Sequence, residues 1–402
     1  MLSSIRMSSL RSVSRLASLT SAVLAGLCFT GAALAASPAV KTVPGMPAVL
    51  NPDNMYTEAH VNNFSPNVKG ALERIYVPNL RSNTVSVIDP KTYKVVDTFP
   101  VGSSPQHVVP AWDLQTLWVT NNAEGKSNGS LTPIDPKTGK PGRAIEVDDP
   151  YNMYFTPDGK EAIVVAEAHA RLDFRDAHTM QLHSSLQAPE CKGINHADFA
   201  IDGSYAIFTC EFGGKLVKID MANRKVIGYL ELEKKGMPQD IRVSPDGKIF
   251  YVADMMADGV YVVDGASFTK IGFIKTGIGT HGLYPSRDAT KLYVANRGSN
   301  HVHGERRGKN KGINKGSVSV IDFATRTVVA NWPIPGGGSP DMGNVSADGK
   351  VLWLSGRYDD LVYAFDTATG AVRKIKVGAE PHGLAVWPQP GRYSLGHTGI
   401  MR

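Results

Sequence analysis

The chain has 402 residues, 42% hydrophobic and 20% charged, with 40 glycines, 25 prolines and a formal net charge of +6. A chain this long and this apolar can bury a large core, which excludes a disordered protein, a collagen and a small disulfide-stapled scaffold. Beyond the first 35 residues the apolar runs are short, so no transmembrane helix is expected there.

The N-terminus carries Arg6, Arg11 and Arg15 without an acid, then an apolar run from Leu16 to Phe29, then Ala33-Leu34-Ala35 before Ala36. A basic start, a short apolar run and a small-x-small site make a secretory signal peptide, so residues 1–35 are expected to be removed and the protein to be periplasmic or secreted. Leu27 stands before Cys28 where a lipoprotein signal needs a small residue, which argues against a lipid anchor. Cleavage removes three arginines and leaves a net charge of +3. Residues 36–70 are Pro- and Asn-rich, and are expected to wrap the outside as irregular chain with His60 at the surface.

From residue 71 a β-rich phrase returns along the chain. One half is a strand ending in Asp: VSVID to Asp89, LTPID to Asp135, LDFRD to Asp176, LVKID to Asp220, VYVVD to Asp264, VSVID to Asp322 and VYAFD to Asp366. The spacings between these Asp residues are 46, 41, 44, 44, 58 and 44. The other half is a turn and a strand, as in TPDGKEAIVVA from Thr156, SPDGKIFYVAD from Ser244 and SADGKVLWLSG from Ser346. Asp-Gly supplies the positive φ of a tight hairpin, and a further hairpin after each terminal Asp leads to an outer strand. Four short strands in about 44 residues is the period of a propeller blade, which buries its faces only against its neighbours.

Innermost strands are expected near Gln106, Tyr151, Asn195, Gln239, His281, Asp341 and His382, and next strands near Ile75, Leu117, Ile163, Ile207, Ile249, Leu292 and Leu352. The expected fold is therefore all-β, a single seven-bladed β-propeller of four-stranded blades over residues 71–390. The chain enters at a second strand, ERIYVPN, and its last propeller strand, PHGLAVWP, lacks a partner. These two are expected to share one closing blade, which removes a free sheet edge. The phrases SPDGKIFYVAD, LYVAN, LWVTN and VSVID resemble the YVTN-type, YncE-like repeat family of secreted bacterial seven-bladed propellers. That resemblance implies extracytoplasmic binding proteins, and supplies no catalytic residue.

Aligning the blades on the Asp-Gly turn puts two successive residues of each at the channel mouth. The first column is Gln106, Tyr151, Asn195, Gln239, His281, Asp341 and His382; the second is His107, Asn152, His196, Asp240, Gly282, Met342 and Gly383. Four of the eleven histidines fall here, far above chance. Imidazole is the commonest metal ligand, so His107, His196, His281 and His382 are candidate ligands, with Asp240, Asp341 and Met342 as oxygen and thioether donors. Copper, zinc, iron or a haem-type cofactor would suit such a ring; a polar, hydrated channel mouth is the plainer alternative.

Cys191 and Cys210 belong to one blade. They are candidates for a disulfide or, with His196, for a soft-metal cluster. The spacing of 58 marks an insertion in the sixth blade, where residues 296–316 carry a local charge of +5. Arg297, His301, His303, Arg306, Arg307 and Lys309 there are candidates for holding a small anionic ligand or a periplasmic protein partner. The basic residues lack interleaved aromatics, so nucleic acid is not the expected partner, and a monomer is expected. The tail 391–402 departs from the repeat, and its Tyr393, Leu395 and His397 could pack on the ring or stay free. The function this supports is a ligand- or protein-binding scaffold using the loop face. The alternatives are a metal- or tetrapyrrole-binding redox or carrier protein and a metal-dependent lyase, and the sequence leaves open whether the protein is an enzyme.

Overall fold

In the repeated turns, the Ser or Thr hydroxyl donates to the Asp carboxylate two residues on and accepts the amide of the next strand. Ser244 Oγ lies 2.5 Å from Asp246 Oδ1 and accepts from Ile249 N at 2.9 Å. The glycine takes φ of +72° at Gly247, and in SRDATKLYVAN Ala289 holds the same position at +55°. The strands that follow are buried on both faces, as in Ile249–Asp254, whereas outer strands such as Thr327–Pro333 alternate between exposed and covered positions.

The computed structural model describes residues 38–124, 128–233, 235–301 and 315–402. The expected signal peptide and the candidates His303, Arg306, Arg307 and Lys309 lie outside the described residues. Seven antiparallel sheets form a seven-bladed β-propeller. Inner strands Pro105–Pro110, Pro150–Phe155, Ile194–Phe199, Pro238–Val243, Thr280–Pro285 and Pro340–Val345 contact one another in sequence, and Ala385–Trp387 closes the circle between the last and the first. Ala385–Trp387 pairs with Arg74–Asn79 in front of Thr84–Asp89 and Lys94–Pro100, so both ends of the propeller share blade 1. Each core lies between neighbouring sheets: Tyr154 and Phe174 of blade 3 pack with Phe199 and Phe208 of blade 4. Among the described residues no helix is long and apolar enough to cross a membrane.

Two segments outside the repeat take defined places. The tail forms a hairpin, Ser394–Gly396 and Ile400–Met401, that pairs with the inner edge of blade 3 through Gly396 and Tyr154. Gly396 has φ +101°, and a Cβ there would lie 2.6 Å from the Met153 carbonyl oxygen, so only glycine fits against the strand. The largely irregular segment before blade 1 has a definite course. It crosses the Asp-Gly turn face, with Val43 N bonding Asp202 O, Met55 N bonding Pro245 O and Asn62 N bonding Ala347 O. The turns expose carbonyls that a Pro- and Asn-rich segment can satisfy.

Candidate functional site at the propeller axis

In a regular strand, successive side chains point to opposite faces, so two adjacent residues cannot both turn toward the axis. Here a bulge at the mouth end of the inner strand removes that restriction. Pro105 pairs with Asn121 but His107 with Thr120, and equivalent shifts lie between Ile194 and Ala197, Pro238 and Ile241, Thr280 and Leu283, and Pro340 and Gly343. The second strand's hydroxyl takes the freed amide: His107 N donates to Thr120 Oγ1 at 3.1 Å and His196 N to Thr209 Oγ1 at 3.0 Å.

The mouth leads into a cavity of about 340 Å³. Gln106, Tyr151, Gln239 and His281 from the inner strands line it, with Glu124, Glu167, Glu211 and Phe212 on one side and Arg297 and Arg357 on the other. Glu167, Glu211, Arg297 and Arg357 each directly follow a second strand, a column the expected mouth residues did not include. Reading that column across the blades, with acids in blades 3 and 4 and arginines in blades 6 and 7, would have found them. Asn195 Nδ2 donates to Glu211 Oε2 at 2.6 Å and to Glu167 Oε1 at 3.2 Å. Burial, and then the Glu211 charge, push the Glu167 carboxyl well above its usual range. Phe212 stands at the rim, 54% exposed.

Beneath the arginines Asp341 gathers three partners. Its Oδ1 is 2.8 Å from Arg297 Nε and 2.9 Å from His281 Nδ1, and its Oδ2 is 2.7 Å from His382 Nδ1. Burial alone would raise Asp341, but Arg297, His281 and His382 hold it well below the carboxylate range. Burial, followed by the Arg297 charge, takes His281 down to about 4, and burial with Arg357 takes His382 down to about 3. Both rings are neutral at pH 7. Asp341 fixes His382 as the Nδ1–H tautomer, which leaves Nε2 to accept from Tyr151 Oη at 3.3 Å.

Deeper on the axis His107 and His196 meet a third ring, His397, which the tail hairpin carries in. Ring centroids are 5.3 Å apart for His107 and His196, 5.0 Å for His107 and His397, and 4.7 Å for His196 and His397. His382 is 4.8 Å from His107. Asn152 Nδ2 lies 3.2 Å from His196 Nδ1 and 3.1 Å from His397 Nδ1.

The structure thus brings together His107, His196 and His382 of the candidate ligands, while His281 is drawn to Asp341 at the cavity floor. Asp240 is not presented as a free oxygen ligand, because it pairs with Arg242 at 2.8 Å and accepts the Leu283 amide at 2.9 Å. Nor is Asp341, whose two oxygens hold Arg297 and two imidazoles, and Met342 Sδ accepts from Tyr284 Oη at 3.5 Å. Cys191 and Cys210 are bonded to each other, so neither sulfur joins His196 in a cluster. Arg297 is buried at the axis rather than displayed on the insertion, and His301 is exposed. His397 had no signal in the repeat, because the tail does not share it.

A closed ring of seven four-stranded blades around a polar axial cavity defines a β-propeller, and that cavity is the candidate site. The YncE-like β-propeller profile matches residues 33–390, and the chain belongs to that family. The uncharacterized protein YncE of Salmonella typhi is 23% identical over 300 residues, 68% of this chain and 75% of the relative. Among solved structures, Kuenenia stuttgartiensis hydrazine synthase superimposes with a TM-score of 0.57 at 18% identity, covering 77% of this chain and 93% of that one. The dihydro-heme d1 dehydrogenase NirN in complex with DHE gives 0.57 at 13% identity, covering 81% and 77%. At such identities these two likenesses concern the fold alone.

Proposed function

We propose that the protein is an exported binding protein for a small polar molecule that carries a carboxylate and, at its other end, an amino or hydroxyl group. The observation that carries this reading is the segregation of charge across the axial cavity, acids on blades 2 to 4 and arginines on blades 6 and 7. A guanidinium offers paired donors to a carboxylate, and Glu211 with Glu167 offers acceptors to an amine or hydroxyl. Among the described residues Arg357 Nε and Nη1 have no hydrogen-bond partner, with Glu380 Oε1 3.8 Å from Nε, so the 10% exposed guanidinium keeps donors that a ligand anion can take. The volume of about 340 Å³ suits a molecule of metabolite size rather than a protein loop. Export rests on the basic, apolar and small-x-small pattern of residues 1–35. The loop-face scaffold expected from the sequence becomes in this reading an axial receptor.

Calorimetric titration with small carboxylates, with and without an amino group, tests the assignment. Saturable one-to-one binding that weakens at least tenfold in Arg357→Gln, and loses its preference for the amino compound in Glu211→Gln, is expected. No saturable binding across the panel, or binding indifferent to both changes, would sink it. N-terminal sequencing of the protein from the periplasm should begin near Ala36; an intact Met1 in the cytoplasm would refute export.

A further inference from the structure

We propose that His107, His196 and His397 form a buried transition-metal site that takes one ion of the copper or zinc class at the propeller axis. One ring nitrogen from each of the three lies within 4.8 Å of the others, and all three side chains are 0% exposed.

The polar accounting of the rings supports an occupant. Among the described residues His107 Nδ1 and Nε2 both lack a hydrogen-bond partner, and so does His196 Nε2. A buried polar group without a partner costs about 1–3 kcal/mol, and an imidazole idle at both nitrogens is rare in a settled core. Two donors among the described residues stand against the rings: Thr398 Oγ1 lies 3.3 Å from His397 Nε2, and Asn152 Nδ2 is placed between two of them. It faces His196 Nδ1, His397 Nδ1 and Tyr154 Oη at 3.1–3.2 Å, three acceptors for two hydrogens. The amide thus supplies partial positive charge where three lone-pair atoms converge and leaves the set under-satisfied. A cation would take one nitrogen from each ring, including one of the two idle on His107.

The donor set selects the ion. Three neutral imidazoles without a thiolate or carboxylate suit copper, zinc, nickel or iron, whereas calcium and magnesium need oxygen ligands. With metal–nitrogen bonds of about 2.0–2.1 Å, tetrahedral ligand nitrogens sit about 3.4 Å apart, so the widest pair must close by rather more than 1 Å. Imidazole rotation about its broad terminal torsion, with Asn152 giving way, supplies that movement. Thr398 Oγ1 lies 3.3 Å from His397 Nε2, and the Asp240–Arg242 pair stands behind it with Asp240 Oδ1 at 3.8 Å. His397 arrives on the tail hairpin, so the site is complete only when the tail is docked.

The test uses the full mature chain stripped with chelator and titrated with Zn²⁺, with Cu²⁺ and, as a control, with Ca²⁺. One equivalent of Zn²⁺ or Cu²⁺ and none of Ca²⁺ is expected, with affinity falling at least 100-fold in His397→Ala and His196→Gln and unchanged in His60→Ala, an exposed position. Nitrogen hyperfine structure in the Cu²⁺ spin-resonance spectrum should report imidazole ligation. Asn152→Asp places a carboxylate between two of the rings and should tighten binding, which keeps the test informative if the histidine variants fold poorly. Wild-type protein that takes up no equivalent, or His397→Ala that binds as tightly as wild type, would overturn the assignment and leave only water among the rings. These outcomes are separable from the carboxylate titrations, because no residue of this site lines the cavity.

Discussion

Arg402 Nη2 donates to Asp198 Oδ1 at 2.7 Å, tying the tail to the inner strand of blade 4 in a pair that is almost wholly buried. The same carboxylate accepts the Val243 amide through Oδ2 at 2.9 Å, so it spans the tail, blade 4 and blade 5. Breaking one side of a buried ion pair leaves a charge without compensation. Arg402→Met should therefore lower unfolding free energy by about 3–5 kcal/mol, Asp198→Asn should act in the same direction, and combining the two should recover part of that loss. Urea unfolding of the two single variants and the double variant measures the coupling; purely additive losses would show that the pair does not act as one.

Asp149 is buried, and burial raises its carboxyl to about 6 despite the Ala168 amide donating to Oδ2 at 2.7 Å. Its folded value lies above the unfolded value of 3.8, so its contribution to stability is present below about pH 4 and lost as pH rises through about 6. Asp149→Asn keeps the acceptor oxygen and suits the positive φ of 44° at this position. The variant should be more stable than wild type by up to about 2 kcal/mol at pH 7 and equal to it at pH 4. A gain that does not depend on pH would disprove the electrostatic account.

The Cys191–Cys210 bond closes a loop with a sequence separation of 19. Constraining an unfolded loop of that size contributes about 3 kcal/mol. Replacing both cysteines by Ala should lower stability by that amount or more, since both sulfurs also pack in the core between blades 3 and 4. Wild type unfolded under reducing conditions should approach the variant, and no change on reduction would contradict the prediction.

Gly383 lies against His107, and a Cβ there would fall 1.9 Å from His107 Nδ1. Gly383→Ala must push the ring off the axis, at a cost of about 1–3 kcal/mol for overpacking. Imidazole resonances in NMR spectra should move for His107 and its neighbours His382 and His397. Unperturbed rings with unchanged stability would show that the axis has room to spare.

The repeated phrases made the blades legible, because each strand carries its own pattern and each turn its own Ser/Thr-x-Asp-Gly chemistry. The closing strand was legible for the same reason, since PHGLAVWP is a first strand without a second. The mouth columns also emerged, although their side-by-side aim depends on bulges that no sequence pattern announces. What escaped was non-local. The tail strands are only two or three residues long, and they are fixed by pairing with Tyr154 and by the Arg402–Asp198 contact rather than by periodicity. Glu167, Glu211 and Arg357 were missed because they lie one residue past the strands whose pattern was followed.

The union of Ala385–Trp387 with Arg74–Tyr76 acts as a clasp, and it orders how the molecule can be assembled. The four propeller strands of blades 2 to 7 come from adjacent stretches of chain and can form as those stretches become available, whereas blade 1 waits with three strands for a distant fourth. Joining segments so far apart carries a large loop-closure entropy, which slows that pairing relative to the local hairpins. Until it happens, the inner edge of Arg74–Asn79 stays open as a template, and the distal strand of a second copy could fasten onto it in place of the chain's own.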